Sequence, residues 1–95
     1  MFQEVKLFIS DYIHSLNGKI TVDSDVIHND KKLEYALSVD DYMASLSILD
    51  DFTYDFLIVE IDSEKIKINK TLYFDDIGDL FKQIKTDLEH FSELR

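Results

Sequence analysis

The run KLEYALSVDDYMASLSILDDFTYDFLIVEI, residues 32–61, decides the fold of this chain. Two acidic doublets, Asp40-Asp41 and Asp50-Asp51, cut it into three apolar segments. In 32–39, Leu33, Tyr35, Leu37 and Val39 fall on one side, with Glu34, Ala36 and Ser38 on the other. That period of two predicts a half-buried antiparallel strand. Residues 42–49 repeat it, with Ala44, Leu46 and Ile48 against Met43, Ser45 and Ser47. The doublets carry the turn chemistry that joins neighbouring strands. The third segment, 54–61, is different because both parities are apolar: Tyr54, Phe56 and Ile58 on one, Leu57, Val59 and Ile61 with Asp55 on the other.

Working outward, residues 19–22 read as a short first strand and 23–31 as a turn-rich connection. Residues 65–74 read as a last strand, with Ile66, Ile68, Leu72 and Phe74 opposite Lys65, Lys67 and Asn69. A helix is predicted at each flank. Phe2, Val5, Phe8, Ile9, Tyr12, Ile13 and Leu16 follow three-and-four spacing, and Asn17-Gly18 closes that helix. Ile77, Leu80, Phe81, Ile84, Leu88 and Phe91 form the stripe of the second, with Asp76 as its N-cap. The expected fold is therefore α+β: helix, an antiparallel meander of four to five strands, helix. Both helices should lie on one face of the sheet, because each has one apolar stripe to cover. Ninety-five residues make a single domain, 1–95.

Composition narrows the chemistry. The chain has no Cys, so neither disulfides nor zinc-thiolate sites arise. His14, His28 and His90 form no metal-ligand spacing, and the two Gly, Gly18 and Gly78, are too isolated for a phosphate loop. Residues 23–30, DSDVIHND, lack the Gly and the closing Glu of a calcium loop. The acidic doublets sit where turns or caps are already expected. No catalytic residue, cofactor or metal is predicted. The amino-terminal run MFQEVKLFISDY has charges inside its apolar pattern and is not expected to be a signal peptide, nor is a membrane span expected, so a cytoplasmic location is the default.

The net charge of −10 argues against direct contact with nucleic acid or anionic membrane. Its distribution says more. From Leu33 to Glu64 there are nine acids and no Lys or Arg. A basic protein partner would be attracted to such a surface from a distance. The extra apolar parity of 54–61 adds a candidate contact patch. Together these features predict partner contacts at Asp50, Asp51, Tyr54, Asp55, Leu57, Val59, Glu60 and Asp62.

The run VDDYMASLSILDDFTYDFLIVEIDSEKIKINKTLYFDDIGDLFKQIKTDLEHF, residues 39–91, resembles small bacterial immunity proteins, in particular the TriTu family. The resemblance lies in size, acidity and the order of elements. It implies an antitoxin that binds one cognate polymorphic toxin and neutralises it without catalysis. Many delivered toxins are nucleases with basic substrate surfaces, which an acidic plug would block. Two alternatives use the same features: a nucleic-acid-mimic inhibitor from a phage or mobile element, and a non-catalytic structural module that dimerises through the uncovered sheet face. Monomer and homodimer are both open at this point.

Overall fold

The computed structural model describes residues 2–94. Helix α1 (Phe2–Ser15) leads into five strands, β1 (Thr21–His28), β2 (Lys32–Val39), β3 (Tyr42–Leu49), β4 (Thr53–Glu60) and β5 (Ile66–Tyr73), followed by helix α2 (Ile77–Ser92). The strands form one sheet in the order β1-β2-β3-β4-β5, every neighbour antiparallel. This is the predicted α+β meander.

Alternation assigns the faces. Leu33, Tyr35, Leu37 and Val39 of β2, Ala44, Leu46 and Ile48 of β3, and Tyr54, Phe56 and Ile58 of β4 are buried in one cluster. Val5, Ile9 and Ile13 of α1 and Leu80, Ile84, Leu88 and Phe91 of α2 complete it, so both helices cover the same face. Each such side chain contributes about 1.5–3 kcal/mol by leaving water. Phe8 stacks on Phe81 at 4.2 Å between ring centroids, and Lys85 lies over the Tyr12 ring. Contacts that advance together along both helices make α1 and α2 parallel.

The helix ends follow local chemistry. Asn17 and Gly18 both take left-handed φ, 55° and 80°, and stop α1. Asp76 is extended and accepts the Asp79 N–H at 3.1 Å, satisfying one free donor of α2.

Two expectations are corrected. Residues 23–28 are strand, since β1 runs to His28 and pairs with β2 along its length. As an edge strand it is exposed nearly throughout, so it carries no apolar alternation to read. Ile66 does not join Ile68 and Leu72 on the helix side. A bulge opposite Ile58 and Val59 pairs Ile66 with Val59 and leaves it 61% exposed.

Candidate functional site

The hairpins place their turns at the two ends of the sheet. At one end, the β1–β2 turn has Asn29 and Asp30 left-handed, at φ 50° and 56°. The Asp50 N–H donates to the Lys31 carbonyl at 3.1 Å and ties this turn to the β3–β4 turn. There the Phe52 N–H closes on the Leu49 carbonyl, and Phe52 takes φ 67°. A bulky residue in that region is strained by about 1–3 kcal/mol, offset here by packing of its ring on the core. Phe74 donates its N–H to the Phe52 carbonyl at 3.4 Å and brings the β5–α2 connection to the same end. Asp30, Asp50, Asp51 and Asp75 are thereby gathered from three connections, with Lys31 the cation among them.

Asp51 has a local task as well. Its Oδ1 accepts the Thr53 N–H at 3.0 Å. Hydrogen bonds from the Thr53 side chain and backbone hold its carboxyl below the usual carboxylate range. At the opposite end, the Ile61 N–H donates to the Asp41 carbonyl at 2.8 Å and joins the β2–β3 and β4–β5 turns. Asp40, Asp41, Glu60, Asp62 and Glu64 meet there. Ser63 Oγ donates to Glu60 and lowers its pKa, helped by the charges of Lys67 and Lys65.

Ion pairing is sparse. The described pairs are Lys6–Asp25, Lys32–Glu34, His28–Glu34 and Lys70–Asp87. Among the described residues, only Glu34 of the nine acids from Leu33 to Glu64 has a basic partner.

The uncovered sheet face is a separate surface. The strand register lays it out in rows. Val26, Glu34, Ser47, Asp55 and Thr71 share one row; Ser24, Ala36, Ser45, Leu57 and Asn69 the next; Ser38, Met43, Val59 and Ile66 the third. Charge lies mainly in the first row, where Glu34 pairs with Lys32 of the same face and Asp55 accepts from Thr71 Oγ1. The other two rows carry none across β2, β3 and β4; Asp23 and Lys67 stand at their edges, at the β1 and β5 bulges. Between Ala36, Met43, Ser45, Leu57 and Val59 runs a shallow apolar groove of about 160 Å³.

The predicted site residues are thus split. Asp50 and Asp51 lie at one end, Glu60 and Asp62 at the other, and Asp55, Leu57 and Val59 on the open face. Tyr54 is a correction: it is fully buried beneath the helices and presents nothing to a partner. Its parity is that of Phe56 and Ile58, and its hydroxyl donates to Asp87 Oδ2 at 2.7 Å. Burial, reinforced by the Asp87 charge, pushes the Tyr54 pKa far above its ordinary value. Asp87 also accepts from Lys70 Nζ at 2.6 Å and Gln83 Nε2 at 3.1 Å, and is 4% exposed. With both carboxylate oxygens occupied, Asp87 braces β4, β5 and α2.

No protein-family model, curated protein or solved structure matches this chain. Function therefore rests on geometry. Among the described residues no cluster of His, Asp or Glu could hold a metal ion, and no helix is long and apolar enough to cross a membrane.

Sequence reading missed Asp87, although a signal exists. Positions 80, 84, 87 and 91 follow one helical stripe, and an Asp interrupts it. Lys70 interrupts the inward set of β5 in the same way, directly opposite Phe56. Two pattern-breaking charges of opposite sign are a candidate buried pair. Tyr35 has weaker compensation: its hydroxyl is buried without a well-formed hydrogen bond among the described residues, and burial raises its pKa, with Ser10 opposing that shift.

Proposed function

We propose that this chain is a non-catalytic binding protein that neutralises a basic protein partner, as the resemblance to immunity proteins implies. The carrying observation is the unpaired negative charge. Among the described residues, eight of the nine acids in the stretch without Lys or Arg have no ion-pair partner, and turn connections concentrate most of them at the sheet ends. Structural charges on a solvated surface ordinarily mix their signs, whereas charge of one sign steers association and fixes partner choice. The end built by Asp30, Asp50, Asp51 and Asp75 is the better docking surface. It rests on three linked connections, against two at the other end. A nuclease-type toxin domain, whose substrate surface is basic, is the partner class that fits.

The test is protection. The reading predicts a polymorphic toxin gene beside this one, and cells expressing its toxin domain should survive when this chain is co-expressed. The combined Asp30→Asn, Asp50→Asn and Asp51→Asn variant should associate more slowly and lose most of the salt dependence of the on-rate. A partner with a neutral or acidic contact surface, or an unchanged on-rate in that variant, overturns the reading.

A further inference from the structure

The open face of the sheet does not look like the acidic ends. Its two rows from Ser24 to Asn69 and from Ser38 to Ile66 carry no charged side chain across β2, β3 and β4, and charge enters them only at the edge-strand bulges, with Asp23 on β1 and Lys67 on β5. A basic partner seated on the centre of the face would meet no carboxylate in either row. A second copy of this chain, by contrast, would meet no like charge there. We propose that the open face is a homodimer interface in which two sheets pack face to face, leaving the acidic ends free.

Three observations carry this. The first is the charge pattern just described. Self-repulsion from the sheet ends is screened over a Debye length of about 8 Å at physiological salt. The second is self-complementarity. Met43 is a knob, 45% exposed, and it borders the groove between Ala36, Ser45, Leu57 and Val59. A twofold interface requires knob and hole to belong to one patch, so that each copy inserts what the other accepts. The groove volume of about 160 Å³ suits one such side chain, since an apolar cavity of roughly this size holds a benzene-sized group. Small residues along the centre, Ala36 and Ser45, let the opposed backbone approach, while Met43, Val59 and Ile66 supply apolar bulk in the row beside them.

The third observation is area. Five strands at about 4.8 Å spacing and eight residues at about 3.3 Å rise make a face of roughly 600 Å². Two such faces, the row of Glu34 and Asp55 included, bury about 1,200 Å², the lower bound for a specific protein interface. A dimer of that size is expected to be weak and reversible.

Sedimentation equilibrium of the full chain across about 5–500 µM tests it. The expected result is a monomer–dimer equilibrium. Leu57→Lys places an ammonium at the centre of the face and should raise the dissociation constant more than about 100-fold. Leu57 points away from the core, so the far-ultraviolet circular dichroism should be unchanged. Should that variant fold poorly, Met43→Lys at a more exposed position serves the same purpose. Asp50→Asn with Asp51→Asn should leave the constant within about threefold, because both lie outside the interface. A chain that stays monomeric throughout, or a dimer indifferent to both lysine variants, as pairing through a sheet edge would give, overturns the proposal. The outcome is independent of the basic partner: a monomer leaves the acidic end intact as a docking surface, and a dimer stands whether or not a toxin is found.

Discussion

Phe56 and Leu57 are neighbours on one strand and belong to opposite faces of one sheet. Phe56 is 1% exposed, under two parallel helices. Leu57 borders an open groove. The covered face is apolar across the inner strands, and its opposed charges meet at the edge strands, in Lys70–Asp87 on β5 and Lys6–Asp25 on β1. The open face is uncharged at its centre, with Glu34 and Asp55 in one row, and most of the negative charge sits beyond it, on the turns. The covered face is specified by volume and hydrogen bonding. The open face and the ends are specified by what they leave out: bulk in one case, cations in the other.

The sharpest way to break that contrast is to empty the covered face. Phe56→Ala should cost about 3–5 kcal/mol, measured as a fall in the urea midpoint at unchanged slope. A loss under about 1 kcal/mol would mean that the helices close over the gap and the core is far looser than its burial indicates.

The Asp87 cluster comes next. Asp87→Ala leaves Lys70 and Tyr54 without their acceptor, and the expected loss is about 2–4 kcal/mol, tempered because Lys70 is partly exposed. The pair Asp87→Leu with Lys70→Met should recover much of it, since an apolar pair can replace a buried ion pair. If the two substitutions add without recovery, the charges are not coupled, and a double-mutant cycle shows this directly.

Tyr54 gives the same region a pH signature. Its pKa is raised in the folded state, so the phenol must stay protonated for the native structure to hold. Stability from this group is intact below about pH 10, the unfolded value, and is lost as pH climbs toward the raised folded value. The slope is about 1.4 kcal/mol per pH unit, because the unfolded chain releases a proton that the folded one keeps. Tyr54→Phe should remove this share of the alkaline slope, leaving that of Tyr35, while lowering stability at neutral pH. Asp51 acts with the opposite sense: its pKa is lowered, so its contribution is present above the usual carboxylate range and fades as pH falls below it. Asp51→Asn should therefore flatten the acid limb and leave the alkaline limb alone.

Most of the architecture was legible because it rests on periodicity. β2 and β3 alternate without a fault, and both helices carry continuous stripes ended by Asn17-Gly18 or begun by Asp76. What escaped reading has physical causes. β1 is an edge strand wetted on both sides, so its only signature is a backbone ladder. Ile66 changed sides through a bulge, which shifts register without changing composition. Tyr54 lay on the inward parity, yet an amphipathic phenol beside acids reads equally well as a contact residue. Its true partner, Asp87, is 33 residues away and invisible to any local window. The convergence of Asp30 and Asp75 on Asp50 and Asp51 depends on turn-to-turn hydrogen bonds, which likewise leave no local trace.

The smallest effect on stability probes the open face, and it separates two accounts of why that face exists. Leu57→Ala removes apolar bulk that borders a surface groove, so no cavity forms, and the monomer should lose about 1 kcal/mol or less. If the face serves only to close the far side of the sheet, nothing else should change. If it is an interface, the same substitution removes one wall of the groove that receives Met43 of the partner copy, and association should weaken by much more than stability does. The ratio of the two effects is the informative quantity. Phe56→Ala shifts folding and association together, because it damages the sheet itself. Leu57→Ala should shift association alone, and a urea titration run at two protein concentrations resolves the difference, since only a dimer makes the midpoint depend on concentration.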